Sequence, residues 1–421
     1  YKNGTVQDSG TAAFTGLTGS FVPGVRPGAA ANPGTVHVNF GQRPFNYTNA
    51  GVDRPAADYL SLNTFNLPDP TIDDPSEHFD TKVYAGSGGS RAITMDNATM
   101  SPDFVWIKSR SSTNGHNMYD VVRGANKYLS SHLQTAEGTA TNELMSFDSN
   151  GFTLAGAAGV NGTGKNYVGW AWDAGSEDAE TNTDGSIDSE VKTNTTAGFS
   201  IVSYTGEGTS GDSIGHGLNA APSFVIIKNR DQGDDWVAMH TGAGLSGDNI
   251  VNTSVAEYYM LILNENDDRD NWTSAVVAPN GSSLLTLGDG DEVNIDTEEY
   301  IAYCWSEVVG YSKFGSYTAN SSSDGPFCHC GFRPALVILK CSSGSGHWTI
   351  YDNKRNTYNP QEDTMFADTN GAENATNYGD IDLLSNGFKV RAAHGEYINN
   401  ASDVWVWCAW AESPFKYSNA R

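Results

Sequence analysis

Apolar positions along the chain fall in short β-branched blocks between turn-forming residues, and one block occurs three times. Pro102-Asp103-Phe104-Val105-Trp106-Ile107-Lys108 returns as Pro222-Ser223-Phe224-Val225-Ile226-Ile227-Lys228 and as Pro334-Ala335-Leu336-Val337-Ile338-Leu339-Lys340. The copies stand about 120 and then about 112 residues apart, which is domain spacing rather than the period of a solenoid or propeller. Each block is too short for a helix and is opened by proline, so it predicts a buried strand. Phe104, Phe224 and Leu336 should then occupy equivalent places in three central strands.

Other landmarks keep the same order. Tyr84-Ala85-Gly86, Tyr204-Thr205-Gly206 and, more loosely, Tyr317-Thr318-Ala319 lie upstream. Ser149 to Phe152 and Ser385 to Phe388 give a Ser-Asn-Gly-Phe turn downstream, which the middle copy lacks. Each copy closes on an aromatic run with an acid: Trp172-Asp173, Trp305-Ser306-Glu307 and Trp410-Ala411-Glu412. Tyr167 to Trp172 and Val404 to Trp407 read as further strands. Trp170 with Trp172, and Trp405 with Trp407, share a strand face, where period-two aromatic pairs usually fill a sandwich core. Helical periodicity is nearly absent, with a turn or two expected over Asn126 to Gln134. The pattern predicts an all-β chain of tandem β-sandwiches.

The expected divisions are 1–75, a β-sandwich part and its exit segment; 76–175, repeat 1; 176–198, an acidic linker; 199–310, repeat 2; and 311–421, repeat 3. Asp173 to Thr196 is acidic and polar, as a linker would be. By contrast Glu307-Val308-Val309-Gly310-Tyr311 runs straight into the next strand, so repeats 2 and 3 should pack rigidly.

Composition then restricts the partners. A formal charge of −26 over 421 residues argues against nucleic acid, whose binding runs on Lys and Arg. It argues equally against adhesion to anionic lipid, and no apolar run reaches membrane-spanning length. The five cysteines begin only at Cys304, so no disulfide framework links the copies. A chain opening on Tyr1-Lys2-Asn3-Gly4 reads as the tail of a longer polypeptide.

Several segments imitate known chemistry. Gly159 to Lys165 has the spacing of a phosphate loop, but Asn166 stands in place of Ser or Thr and a strand follows, so a surface turn is expected. Gly211-Asp212-Ser213-Ile214 with His216 imitates an esterase nucleophile block, without an orienting third group or an equivalent in the other copies. Glu180, Asn182, Asp184 and Asp188 echo a calcium loop, although Val191 occupies the position of the bidentate Glu. Calcium is the one cation this stretch would take, and no other cofactor is expected. Cys328-His329-Cys330 puts two sulfurs on one strand face and His329 on the other, the pattern of small buried thiols.

Trp236 and Trp348 sit at corresponding positions beside polar loops, with Tyr119 as the expected counterpart in repeat 1. Exposed indoles could stack on a sugar ring, with Asn229, Asp234, Asp235 and Asn353 supplying hydrogen bonds; both rings could instead begin buried strands. No pair of acids recurs at matched positions as polysaccharide cleavage would require. No catalytic residue is assigned, and an enzyme is not expected.

Longer stretches resemble a known family. Tyr1-Lys2-Asn3-Gly4, Phe14-Thr15-Gly16-Leu17-Thr18-Gly19 and Val38-Asn39-Phe40-Gly41-Gln42-Arg43-Pro44-Phe45 resemble the closing strands of a SPRY domain, a concanavalin-like jelly roll. Asn63-Thr64-Phe65-Asn66-Leu67-Pro68 is similar to the exit segment of such domains in phage structural proteins. Gly198-Phe199-Ser200-Ile201-Val202, Gly215-His216-Gly217-Leu218, Gly310 to Tyr317, Gly331-Phe332-Arg333-Pro334 and Pro414-Phe415-Lys416-Tyr417 resemble the repeat domains that follow it in tail-fibre-like virion proteins of marine and cyanobacterial phages. The resemblance implies tandem concanavalin-like jelly-roll sandwiches in an extracellular virion protein: a tail fibre or surface appendage attaching to host glycan or another receptor. Other virion proteins would be its partners, and a homo-oligomer, first of all a trimer, its assembly. The alternatives are a capsid decoration or tail structural protein with no receptor role, and a secreted bacterial adhesin or lectin.

Overall fold

The computed structural model describes residues 67–242, 259–271, 274, 277–374, 379–391 and 398–418. Of the SPRY-like stretch expected at 1–75, only 67–75 fall among them. The chain divides into two units at Pro68, and the described residues fall almost wholly within the second, Asp69–Arg421. The second unit is all-β and holds the three repeats.

Repeat 1 comprises β1 (Phe79–Ala85), β2 (Arg91–Thr94), β3 (Phe104–Ser109), β4 (His116–Asp120), β5 (Lys127–Tyr128), β6 (Gly138–Thr139), β7 (Leu144–Asp148), β8 (Gly151–Leu154) and β9 (Asn166–Trp172). Its large sheet runs β1-β9-β3-β4 and its small sheet β2-β8-β7, all antiparallel. The expected helical turn over Asn126 to Gln134 is instead the short strand β5 followed by turns. Lys127 and Tyr128 pair with Thr139 and Gly138, and this cross-strand ladder satisfies their backbone better than an isolated helical turn.

Repeat 2 follows with β10 (Glu180–Asn182), β11 (Ser189–Asn194), β12 (Phe199–Thr205), β13 (Ser213–Gly215), β14 (Phe224–Asn229), β15 (Val237–His240), β16 (Tyr259–Ile262), β17 (Asp270–Asn271), β18 (Val277–Asn280), β19 (Leu284–Leu287) and β20 (Glu299–Trp305). Its large sheet is β10-β11-β12-β20-β14-β15-β16-β17, and its small sheet β13-β19-β18. The stretch 176–198 is therefore no loose linker. Its alternation of Ser189, Val191 and Thr193 with exposed Glu190 lets β11 extend the sheet beside β12, and Ile187 and Val191 enter the core.

Repeat 3 comprises β21 (Ser312–Thr318), β22 (Phe327–His329), β23 (Phe332–Cys341), β24 (Thr349–Asp352), β25 (Met365–Phe366), β26 (Ile381–Leu384), β27 (Gly387–Val390) and β28 (Val404–Pro414). Its sheets run β21-β28-β23-β24-β25 and β22-β27-β26. The three Pro-opened blocks are β3, β14 and β23. Each lies between the closing strand of its repeat (β9, β20, β28) and the following strand (β4, β15, β24), with Phe104, Phe224 and Leu336 buried.

Each of these central strands is buried along its whole length because both faces of the large sheet are covered. One face packs on the small sheet of the same repeat: Val105, Ile107 and Tyr167 in repeat 1, Val225, Ile227 and Tyr300 in repeat 2, Val337, Leu339, Trp405 and Trp407 in repeat 3. The other face of all three sheets enters one shared core. At its centre Trp172, Trp305 and Trp410 form a triangle of edge-on rings, with centroids 5.9, 5.5 and 5.8 Å apart.

The contacts between repeats also come in threes. His116 Nε2 meets Phe366 O at 2.9 Å, Trp236 Nε1 donates to Ser130 O at 3.0 Å, and Trp348 Nε1 donates to Ile262 O at 2.7 Å. Strand register makes these the same position: each lies four residues before the partner of Phe104, Phe224 or Leu336, namely Asp120, His240 or Asp352. So repeat 1 reaches repeat 3, repeat 2 reaches repeat 1, and repeat 3 reaches repeat 2. Backbone bonds close the same cycle: Glu137 N to Arg230 O at 2.8 Å, Arg269 N to Ser342 O at 3.3 Å, and Glu373 N to Arg110 O at 2.8 Å. A head-to-tail contact repeated three times has closed into a ring, here within one chain.

The Ser-Asn-Gly-Phe turns have a steric reason. Gly151 has φ 155° and a Cβ there would lie 2.0 Å from Ile93 O; at Gly387, with φ 157°, it would lie 2.0 Å from Cys328 O. Gly151→Ala is expected to destabilise the protein by about 1–3 kcal/mol. A fall in the urea midpoint with unchanged slope checks this, and an unchanged midpoint would contradict the close approach.

Candidate functional site

Trp236 and Trp348 correspond, as their sequence context indicates, but their place in the fold differs from the one expected. Both rings are buried, at 0% and 1% exposure, and each spends its N–H on the backbone of the preceding repeat. Neither ring offers a free face for stacking on a sugar. Their counterpart in repeat 1 is His116, not Tyr119, because the equivalent position needs a ring N–H rather than a phenol. Tyr119 points to the other face, into the core of repeat 1, and donates to Glu143 at 2.5 Å.

The polar candidates divide. Asn229, Asp234 and Asp235 gather at the start of β15. Asn229 Oδ1 accepts from Asp231 N and Gln232 N, while its Nδ2 donates to Asp234 Oδ2 at 2.8 Å and is bonded to Glu298. Asp235 accepts from Gln134 in repeat 1 at 2.7 Å and from Asn264 at 2.6 Å. Asn353 is not part of this group. It follows β24, whereas Trp348 precedes it, so a whole strand separates them.

The group sits in acidic surroundings. Burial raises the Asp234 pKa, Lys228 pulls it back, and the neighbouring Asp291 raises it again. Burial likewise raises Glu265 and Glu292, with adjacent aspartates adding to it. Asp267 and Asp268 are exposed on the nearby loop. The loops at this end of repeat 2 thus carry concentrated negative charge, an arrangement that attracts cationic groups and repels anionic ones.

The calcium-loop candidates are dispersed. Glu180 is exposed, and Asn182 Oδ1 is occupied by Asp184 N at 3.0 Å in the tight turn joining β10 to β11. Asp188 lies apart from them, at an open hollow of about 250 Å³ with Glu190, Ser203, Thr205 and Glu299. Among the described residues no group of three or more His, Cys, Asp or Glu is placed to hold a metal ion. The hairpin separates these oxygens because its strands pair Glu180 with Val191 and Asn182 with Ser189. Cys328 and Cys330 are buried, exposed His329 lies between them, and burial pushes the Cys328 thiol up to about 12. All five cysteines are free.

Residues that join the repeats did not stand out in the sequence. Buried Asp120 accepts from Arg123 Nε at 2.5 Å and from the Tyr303 hydroxyl of repeat 2 at 2.7 Å. In repeat 3, Asp352 accepts from Arg355 at 2.5 Å and from Trp170 Nε1 of repeat 1 at 3.1 Å. Glu137 pairs with Arg230 at 3.0 Å, and Glu373 with Arg110 at 2.7 Å. A signal was present, since Asp-x-x-Arg follows the central block in repeats 1 and 3 at one spacing. The lysines ending the three blocks are buried too. Lys108, Lys228 and Lys340 donate to backbone carbonyls, including Ser109 O at 2.7 Å and Asn229 O at 2.6 Å at the ends of their own strands and Gly346 O at 2.6 Å in the next loop, and burial lowers each to about 8.

The two ends of the ring differ. Residues 69–78 and the segment after β28 meet at the end bearing the tryptophan triangle: Asp69 pairs with Lys416, and Asp173 N bonds His78 O at 3.0 Å. The lysines and the acidic loops lie at the other end of the strands. One family model matches, a domain of unknown function (DUF7483), over residues 74–414. No curated protein and no solved structure matches the chain.

Proposed function

We propose, for a chain that belongs to the family of DUF7483 domains, that it is a non-enzymatic structural protein of a phage particle, a tail fibre or surface appendage that attaches to the host surface. The observation that carries this reading is the ring itself: three sandwiches spend their aromatic faces on one another and leave loops at their ends for contact. Such a body is rigid, and each repeat presents the corresponding loop at one end of the strands. Weak contacts held at fixed spacing add up, because the second and third bind as intramolecular events. The phage context comes from the sequence resemblance, and the high negative charge suits an exposed particle surface.

Contact is assigned to the loops opposite the meeting point of 69–78 and 414–418, where the exposed Asp267 and Asp268 project. Purified protein should bind host cells and compete with phage adsorption. Asp267→Lys with Asp268→Lys should reduce that binding about tenfold or more without lowering the melting temperature. Absence of both binding and competition would overturn the receptor role and favour capsid decoration or a tail structural role. Binding that persists unchanged in the variant would place contact elsewhere on the ring.

A further inference from the structure

The ring is not equally fastened at its three joints. At two of them a buried carboxylate, Asp120 or Asp352, is held by the arginine three residues on and accepts a hydrogen bond from the next repeat. The equivalent residue in repeat 2 is His240, whose Nε2 meets Trp407 O of repeat 3 at 3.0 Å. The ion pairs Glu137–Arg230 and Glu373–Arg110 flank the first two joints. At the third, the same positions are Arg269 and Ser342, neither of which carries a carboxylate.

His240 is fixed in one neutral form. Its Nδ1 accepts from Gly242 N at 2.7 Å, so the ring proton must sit on Nε2 and point at the Trp407 carbonyl. A second proton has no place to go except Nδ1, where it would face another donor. The side chain is buried, and its neighbours are the rings of Phe224 and Phe314 at 6.0 and 6.1 Å. Among the described residues no charged side chain contributes to its electrostatics; burial lowers its pKa to about 4, and the Trp407 carbonyl only partly offsets this.

We propose that acid opens the ring at the joint between repeats 2 and 3, with His240 as the latch. The closed joint disfavours the imidazolium, whereas an opened joint lets His240 titrate near its ordinary value. Between pH 6.5 and 4 the open form therefore binds more protons, and acid favours it. With a closed value of about 4 and an open value of about 6.5, lowering the pH from 7.5 to 4.5 favours opening by roughly 70-fold. Opening uncovers the aromatic faces of repeats 2 and 3 while the Asp120 joint, where Trp236 rather than a histidine ring reaches across, holds. At the Asp352 joint buried His116, whose Nε2 meets Phe366 O and whose pKa burial also lowers, titrates alongside His240.

Amide hydrogen exchange of the full chain at both pH values, corrected for the intrinsic pH dependence, tests this. Gly346 N bonds Asn266 O at 2.7 Å and Arg269 N bonds Ser342 O, both across the joint, while Glu137 N bonds Arg230 O across another. Protection at Gly346 and Arg269 should fall by tens of fold at pH 4.5 and that at Glu137 should hold. His240→Gln, whose amide can still donate to Trp407 O but does not titrate, should abolish the fall. Unchanged protection in the native chain would overturn the proposal, as would an equal fall in the variant. A uniform loss at all three amides would mean general acid unfolding and would overturn it without need of the variant.

Discussion

Trp172→Ala should lower the unfolding free energy by about 3–5 kcal/mol, the cost of emptying a well-packed aromatic site. Trp172 stands in the shared core with Phe79 at 4.8 Å, Phe104 at 5.3 Å, Trp305 at 5.9 Å and Trp410 at 5.5 Å. Among the described residues its indole N–H has no hydrogen-bond partner, so the substitution orphans no acceptor there and the loss is one of packing. Because neighbours from all three repeats line the void, the ring should be weakened as a whole. Denaturation followed by fluorescence and by circular dichroism should give one shifted transition. A cost below 1 kcal/mol would mean that the three aromatic faces do not share a core.

Asp120→Ala should cost a similar amount, about 3–5 kcal/mol, for a different reason. Both Asp120 and Arg123 side chains are wholly buried, and the substitution leaves the guanidinium with Glu137 at 3.3 Å as its remaining carboxylate. Burial opposes charge on Arg123, but Asp120, Tyr303 and Glu137 outweigh it and raise its pKa, so it cannot escape by losing a proton. The Tyr303 hydroxyl loses its acceptor as well, although it still lies 3.0 Å from Arg123 Nη2. Tyr303→Phe removes the hydroxyl's bond to Asp120 and the one it accepts from Arg123 Nη2 while leaving the ion pair in place, and should cost less, about 1–3 kcal/mol. Equal costs for the two variants would show that the charge pair contributes nothing beyond the bond between repeats. Urea midpoints measured side by side decide it.

The strands were legible because their pattern is local. Phe104, Phe224 and Leu336 lie where the repeated block placed them, and the lack of polar alternation in Phe104 to Ile107 already implied cover on both faces. What covers the second face was not legible. On that face Phe104 meets Tyr303 and Phe224 meets Trp348, each more than a hundred positions away, and nothing in the block separates a neighbouring repeat from a second small sheet. The same blindness governed Trp236 and Trp348. Their position beside polar loops suits a surface stacking platform as well as it suits an indole reaching the next repeat, and only the packed ring distinguishes them.

Chemical disguise hid the rest. His116 does the work of Trp236 and Trp348 through a ring nitrogen, whereas Tyr119 resembles them more in residue type. His240 stands where Asp120 and Asp352 stand, so the repeat is broken at the residue where its chemistry changes. The acidic stretch 176–198 is polar on average, and the apolar Ile187 and Val191 that pull it onto the sheet are only two positions among many acids. Asn182, Asp184 and Asp188 alternate as calcium ligands do, yet the hairpin pairs Asn182 with Ser189, which turns Asp188, one residue earlier, to the opposite face from Asn182.

The first and third repeats touch through one core although most of the chain lies between their closing strands. A double-mutant cycle on Trp172→Leu and Trp410→Leu measures this directly, since the rings lie 5.5 Å apart at 77°. The closed ring predicts a coupling energy of about 0.5–1.5 kcal/mol. Costs that add to within about 0.3 kcal/mol would mean that the two tryptophans do not meet, and that the repeats are separate sandwiches rather than one ring.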